Sequence, residues 1–472
     1  MAKNLSIPNL ALGRVHFIGM GGAGMSGIAR IMLSHGITVS GSDVKDSGTL
    51  SGLVALGAQA FIGHRAENID GADVVVASSA ISEKNPELVA ARERGLKILG
   101  RAEALALLMA GSRSIAVAGT HGKTTTTSML TVALQRAGLD PSFAIGGMIN
   151  SAGTNAHAGT GDIFVAEADE SDGSFLVYKP HGAIITNIEL DHVDHFPDLQ
   201  SVIDLFQKFV ASIQPEGFLV ICIDSPVAAR LVQSITRSDI RVITYGASHG
   251  AGGEYSLSHI GLAAGSASAR VSINGRVLGE LRLSIPGEHN LYNALAALAA
   301  GLTLGAPVNE LLEGLGGFSG ARRRFERKGQ VHGITVIDDY GHHPTEIRVT
   351  LETARRVAGS GKVWVVFQPH RYSRTQAFAA EFAQALALAD VAYVLEIYGA
   401  SEKPIPGITS EVITRHMAKE QGIYEPSMIT VAEALIHRAE PGDVILTLGA
   451  GDVNSLAPVL VDSLVDKYQQ YK

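Results

Sequence analysis

"SIAVAGTHGKTTTTSMLTVALQRAG", residues 114–138, decides the fold. Residues 114–118 read as a buried strand, the Gly-bounded turn as a loop, and the segment ending at Gly138 as a helix. A Gly-Lys-Thr between a strand and a helix is the setting of a phosphate-binding loop. The spacer is short, because only Thr120 and His121 separate Gly119 from Gly122. In such a loop, backbone amides wrap phosphate oxygens, Lys123 neutralises charge at the β and γ positions, and the Thr124 hydroxyl reaches Mg2+. Use of ATP or GTP is therefore expected over a purely structural turn.

The same strand-then-helix rhythm runs outward in both directions and predicts an α/β fold with mainly parallel sheets. At 472 residues the chain is too long for one ordinary core. We read three blocks. Residues 1–107 open on "RVHFIG" and continue through "DVVVASS" and "LKILG". Residues 108–320 hold "SIAVAG", "IFVAEAD", "GAIITNI", "FLVICID" and "RVITYG", followed by alternating runs around Asn274-Gly275 that predict a hairpin. Residues 321–472 repeat the rhythm at "ITVIDDYG", "KVWVVFQPH", "DVAYVLEIY" and "DVILTLGAGD".

Composition narrows the function classes. The net charge of −8 makes nucleic acid an unlikely partner, and Arg322-Arg323-Arg324 is too short a basic run for a duplex footprint. It suits a small anion. Cys222 is the single cysteine and lies in the apolar run "GFLVICID", where a buried, inert thiol in a reducing cytoplasm is expected. The N-terminal stretch lacks a secretion signal, and no run approaches a membrane span. Neither secretion nor membrane insertion is expected.

Further motifs sit where strands end, which is where ligands bind in open parallel sheets. "GMGGAG" places Gly19, Gly21 and Gly24 after a strand, with Gly22 between, so that a helix N-terminus can meet a diphosphate. Asp43, ending the next strand, could accept from a ribose hydroxyl. This pattern alone fits a dinucleotide or a UDP-sugar equally. "FVAEADESDGSF" and "NIELDHVDHF" gather Glu167, Asp169, Glu170, Asp172, Glu189, Asp191 and Asp194 with His192 and His195, a cluster suited to Mg2+ although imidazole is an unusual ligand for it. Any one of these acids alone reads better as a helix cap. "DDYGHHPTE" pairs His342 with His343 before a helix start at Pro344, and "FQPHRYSRT" ends a strand with His370, Arg371 and Arg374, able to fork onto a carboxylate or phosphate.

Taken in order, "GMGGAG", "GTHGKTTTT", "EADESDGSF", "NIELDHVDHF", "PGEHNLYNA", "RRRFE", "DDYGHHPTE" and "FQPHRYSRT" resemble the Mur ligase family of peptidoglycan synthesis, whose ATP loop has the same short form. The resemblance implies an N-terminal Rossmann-like domain holding UDP, a central P-loop ATPase domain, and a C-terminal Rossmann-like domain that closes over the site. It implies ATP-dependent joining of L-alanine to the lactyl carboxylate of UDP-N-acetylmuramate through an acyl phosphate, in a monomer or homodimer. By the same resemblance, Gly21, Gly22, Gly24, Asp43, Ser78 and Ser79 contact the UDP-sugar. Gly119, Thr120, His121, Gly122, Lys123, Thr124 and Thr125 hold ATP, as do His289, Asn290, Asn293, Arg324 and Asp339. Thr124, Glu167 and His192 hold Mg2+. His343, His370, Arg371 and Arg374 receive the amino acid, and Lys123, His192, His343, Arg371 and Arg374 carry the chemistry, with His343 a candidate to position or deprotonate the amine. Related ligases carry a lysine carbamate near the second metal; Lys208 is nearby in sequence and reads as a helix-surface residue.

Three other readings compete. A recycling ligase of the same family would attach a tripeptide to UDP-N-acetylmuramate. A nicotinamide oxidoreductase built on "GMGGAG" leaves the ATP loop without a purpose. An ATP-driven switch would hydrolyse nucleotide whether or not an amino acid is present.

Overall fold

The computed structural model describes residues 12–78, 80–247, 253–400 and 402–469. Its strands form three sheets. In the first, β1 (Arg14–Ile18), β2 (Thr38–Asp43), β3 (Gln59–Ile62), β4 (Val74–Ala77) and β5 (Lys97–Gly100) pair in parallel in the order β3-β2-β1-β4-β5. The chain reverses direction across this sheet at β1, and the glycine loop after β1 leads into helix α1 (Ala23–Ser34).

The second sheet has ten strands in the order β15-β14-β13-β12-β11-β10-β6-β9-β7-β8. They are β6 (Arg113–Ala118), β7 (Ser142–Ile149), β8 (Thr154–His157), β9 (Ile163–Glu167), β10 (Gly182–Ile185), β11 (Phe218–Cys222), β12 (Arg241–Ala247), β13 (Tyr255–Leu262), β14 (Ala267–Ile273) and β15 (Arg276–Leu283). The run from β7 to β13 is parallel, and β8, β14 and β15 are antiparallel additions at the edges. Asn274 and Gly275 both have positive φ, 48° and 80°, so β14 and β15 are joined by the expected two-residue turn. Helix α2 (Lys123–Arg136) packs against helix α3 (Glu288–Thr303). The run Ala294–Ala300, five alanines and two leucines, is fully buried.

The third sheet, β16-β17-β21-β18-β19-β20, comprises β16 (Glu326–Val331), β17 (Ile334–Asp339), β18 (Val363–Phe367), β19 (Val391–Val394), β20 (Gly422–Tyr424) and β21 (Val444–Leu448). Only β16 runs antiparallel. Helix α4 (Pro344–Ala358) follows β17 and starts with Pro344.

The first two sheets share an apolar interior. One buried cluster runs from Val15 and Met25 through Leu105 and Ala156 to Phe164, Phe206 and Leu219. The third sheet has its own interior on each face, around Leu351 and Phe367 on one side and Trp364 and Leu460 on the other. Among the described residues, no helix is long and apolar enough to cross a membrane.

Strands β7 and β8 do not stand out in the sequence, yet they dock the first sheet onto the second. A Cβ added at Gly27 of α1 would lie 3.0 Å from Ala156 Cβ, and Asn155 Nδ2 donates to the Ala23 carbonyl at 2.8 Å. Gly27→Val should therefore overpack this seam and lower unfolding free energy by about 1–3 kcal/mol. Chemical denaturation checks it; unchanged stability would mean that the seam is loosely packed.

Candidate active site

Strand β6 lies between β9 and β10, so the loops leaving these three strands emerge side by side. They carry the phosphate-loop motif and both acidic motifs. The phosphate loop is pinned by the residues after β10. Thr120 N donates to Asn187 O at 3.1 Å, His121 N to Asn187 Oδ1 at 2.8 Å, and the His121 carbonyl accepts from Thr186 Oγ1 at 2.5 Å and Asn187 Nδ2 at 3.0 Å. Gly119 has φ 127°, and a Cβ there would sit 2.1 Å from Thr186 Oγ1. Gly122 caps α2 in the left-handed region, where a Cβ would meet Asn293 Oδ1 at 2.6 Å. First-turn amides of a helix have no intrahelical partner, so the start of α2, with Thr125 in its first turn, presents donors to an anion.

Lys123 folds back over its loop. Its Nζ donates to the carbonyls of Gly119 (2.8 Å) and Thr120 (3.1 Å) and to Glu170 Oε1 (2.9 Å). Burial works against its charge, but Glu170 and Asp169 outweigh that and hold the amine above its ordinary range. The Thr124 hydroxyl donates to Glu167 Oε1 at 3.0 Å, while Gly146 N donates to Glu167 Oε2 at 2.8 Å. Glu170 Oε2 is buried without a partner, and burial pushes that carboxyl up to about 7 against the pull of Lys123. An orphaned carboxylate oxygen beside a hydroxyl and a second carboxylate is an oxygen-rich donor set that fits a hard divalent cation. The sequence placed Glu170 in the acidic cluster without singling it out; its unsatisfied oxygen is visible only in the fold. His192, at φ 51°, puts Nε2 3.9 Å from Glu170 Oε1 and 3.8 Å from Asp191 Oδ2, so it joins the same cluster. Other acids act as caps: Asp172 accepts from Ser174 N and Asp169 from Ser171 N. Lys208 is exposed on the helix Leu199–Ser212.

The third sheet places β17, β21 and β18 side by side in its middle, and the motif loops after β17 and β18 meet the central domain. Several residues expected to meet substrate are engaged within the protein. Arg374, 3 % exposed at its side chain, donates from Nε to Asp191 Oδ1 at 2.9 Å, and Arg371 pairs with Asp194. The His370 ring accepts from Arg374 and is held neutral, down to about 3, by burial and then by neighbouring cations. His343 caps α4: Thr345 N donates to Nδ1 at 3.3 Å and Nε2 donates to the Leu190 carbonyl at 3.2 Å. With both nitrogens committed, His343 is not poised here to take a proton from an amine. Asp339 accepts from the amides of Gly341 and Phe325, both at 2.7 Å, which turns its carboxylate toward the backbone. Arg324 reaches back to donate to Thr124 Oγ1 at 3.3 Å.

Between the central and third sheets lies a cavity of about 1240 Å3, lined by Gly122, His289, Asn290, Asn293, Arg324 and Asp339 among others. His289 is pushed down to about 4 by burial and then by Arg356. A second cavity of about 80 Å3, lined by Gly24, Arg101, Asn155, Glu167 and Asp169, lies between α1 and the central sheet. On its far side Asp43 Oδ2 accepts from Gly21 N at 2.9 Å and so stiffens the glycine loop, while Ser78 Oγ accepts from Ala80 N at 3.3 Å. Ser79 lies outside the described residues. The phosphate loop lines the larger cavity through His121, Gly122 and Thr125, and Glu167, the partner of Thr124, lines the smaller one.

Three Mur ligase models match the chain in succession: "Mur ligase family, catalytic domain" at residues 14–113, "Mur ligase middle domain" at 117–301, and "Mur ligase, glutamate ligase domain" at 323–451. The chain belongs to the Mur ligase family. Among its relatives, the UDP-N-acetylmuramate–L-alanine ligase of Saccharopolyspora erythraea is 53% identical over 456 residues, 95% of this chain and 93% of that one. Two solved Mur ligase structures are similar across nearly the whole chain. The UDP-N-acetylmuramate-alanine ligase of Thermotoga maritima is 31% identical with a TM-score of 0.80, covering 97% of this chain and 100% of that one. A murein peptide ligase of Psychrobacter arcticus is 25% identical with a TM-score of 0.71, covering 96% and 99%.

One titration is readable from this Mur ligase site. His121 Nε2 donates to Glu189 Oε2 at 3.4 Å and its Nδ1 lies 3.4 Å from Glu346 Oε1, with the His343 ring alongside and Arg324 and His342 behind Glu346. Burial opposes the imidazolium, but the two carboxylates raise it from 6.5 to about 9. A pKa raised by folding stabilises the native state fully below the unfolded value and ceases to as pH climbs through the folded one. Between pH 6.5 and 9 the wild type should therefore lose on the order of 3 kcal/mol relative to His121→Asn. Urea unfolding at both pH values checks this, and parallel pH profiles would sink it.

Proposed function

We propose that this protein joins L-alanine to the lactyl carboxylate of UDP-N-acetylmuramate at the expense of ATP. The observation that carries the reading is that the phosphate loop lines one cavity, suited to a nucleotide, while Glu167, the partner of Thr124, lines another reached from the glycine loop of the first sheet. ATP would occupy the larger cavity with its phosphates on the loop and the start of α2. The UDP-sugar would lie across α1, with Gly21, Gly22, Gly24 and Ser78 near its diphosphate and its carboxylate directed toward Glu167. The division into residues 1–107, 108–320 and 321–472 assigns one substrate region to each domain.

A carboxylate is a poor electrophile, so its oxygen first attacks the γ-phosphorus and ADP departs with the electrons of the broken P–O bond. The neutral amine of L-alanine, its ammonium proton having gone to solvent, then attacks the acyl carbon, the C–O bond to phosphate breaks, and the proton released from nitrogen leaves with the departing phosphate. Lys123 neutralises charge on the transferring phosphoryl group. Mg2+, held by Thr124, Glu167, Glu170 and His192, would supply further neutralisation of the phosphate oxygens. Arg371 and Arg374 are spent on Asp194 and Asp191, so they would meet the amino-acid carboxylate only on exchanging those partners, and His343 seats α4 rather than serving as the base. Closure of the third domain excludes water that would hydrolyse the acyl phosphate. The cytoplasm, where ATP and nucleotide sugars are available, is the compartment this chemistry needs.

A tripeptide-attaching ligase is the second reading, favoured by the murein peptide ligase likeness at 25% identity. The relative at 53% identity carries the L-alanine name, which supports the first reading more strongly. Phosphate release from Mg-ATP and UDP-N-acetylmuramate, with product mass, separates the two: coupling should occur with L-alanine and not with tripeptide. Hydrolysis indifferent to any acceptor would overturn both. Lys123→Ala should reduce turnover at least about 100-fold; near-normal turnover would remove the phosphate loop from the mechanism.

A further inference from the structure

The second residue of the shortened spacer, His121, is held by partners from two domains. The backbone of His121 is fixed at both ends, its amide and carbonyl held by Thr186 and Asn187 at the end of β10. Its side chain borders the cavity between the central and third sheets. It fits between two carboxylates, Glu189 from the central sheet and Glu346 from the first turn of α4 in the third domain. The His343 ring lies against it at 4.7 Å between centroids. Each carboxylate has a second anchor on the third domain's side: Thr345 Oγ1 donates to Glu189 Oε2 at 2.6 Å, and Glu346 accepts from His342 N at 3.0 Å.

The geometry points to His121 as a positioning residue, an interdomain bridge through which docking of α4 holds the phosphate loop in its cradle shape. An imidazole can do this because each nitrogen carries a donor aimed at a different carboxylate when the ring is charged. Both flanking acids keep their charge, since Glu189 lies near 2 and Glu346 well below its ordinary range once His121 and its neighbours outweigh burial. The bridge sits one residue from Gly122 and two from Lys123, so a shift of α4 is transmitted to the phosphate site through a fixed backbone. Nucleotide on the loop and the docked third domain should therefore favour each other, as reciprocal coupling requires.

A rival reading treats the same place as a metal site, because His121, Glu189 and His343 offer ligand atoms that all lie within 4.8 Å of one another. The hydrogen bonding argues otherwise. His121 spends one nitrogen on Glu346, and His343 Nδ1 already accepts the Thr345 amide.

The test uses the full chain and three variants: His121→Asn, Glu346→Gln and the double substitution. The role assigned to the phosphate loop rests on the proposed ligase reading, but nucleotide affinity by calorimetry and compaction by X-ray scattering are measured with ATP analogue alone and do not depend on product. Each single variant should weaken nucleotide binding by about tenfold and diminish nucleotide-induced compaction, and the double should be no worse than either single, since the partners act through one contact. In turnover, KM for ATP should rise while KM for the UDP-sugar stays put. Multiplicative losses in the double, or a lowered melting temperature with nucleotide affinity unchanged, would overturn the bridge. So would one equivalent of Zn2+ retained by the wild type and lost in His121→Asn, which would establish the metal site instead. Failure to form product with affinity and compaction behaving as expected would count against the ligase reading and leave the bridge standing.

Discussion

Parallel pairing of β6 between β9 and β10 is the constraint from which the rest follows. Strands this apolar must be covered on both faces, and their polar ends are then driven to one edge of the sheet. Three chain segments that lie far apart in sequence meet there within hydrogen-bond distance. Lys123 has no water to neutralise it at that edge, so it needs Glu170, and Glu170 in turn is left with an oxygen that the protein does not satisfy. Buried charges of this kind are costly when unpaired, at roughly 3–5 kcal/mol for a broken pair. The site is built to accept more charge than the protein alone provides.

The two interdomain contacts have different physics. The first and second sheets are joined by an apolar cluster that includes Leu105, Ala156 and Phe164. Opening it would expose hydrocarbon, so these two units act as one platform. The third domain meets that platform through Asp191–Arg374, Asp194–Arg371 and the carboxylates around His121. Ion pairs regain hydration on separation, which makes such a seam easier to open than an apolar one. Relative motion is the default for interfaces of this polar kind. Of the two seams, the polar one bordering the third domain is the less costly to separate.

What could be read from the sequence follows the same division. Runs such as "SIAVA" and "VWVVF" are legible because a strand buried on both faces is apolar throughout. Strands β7, β8 and β16 escape notice because "SFAIGGMI" and "ERKGQV" contain glycine or charge, "TNAH" is short and mostly polar, and all three lie at or near sheet edges. The motif residues themselves were legible, but not their partners. Arg374 looks free to take a carboxylate until the fold supplies Asp191, 183 positions away. Asp43 reads in the sequence as a ribose acceptor and Asp339 as an ATP contact, and in the folded chain both accept backbone N–H groups. Local pattern reveals which side chains can do chemistry, while the state each is held in depends on segments distant in the chain.

Helix α2 carries a consequence for how the protein is made. Its first two turns are threonine-rich, and Thr127, Ser128 and Thr131 each donate back to a carbonyl one turn earlier, an arrangement that does little for helix stability alone. Its order comes from packing on α3, including Thr126 Oγ1 donating to Asn293 Oδ1 across 167 residues of chain. A growing polypeptide thus leaves the ribosome with its nucleotide loop complete in sequence long before that loop has a fixed shape. The partner that fixes the loop's helix at Thr126 is made 167 positions later.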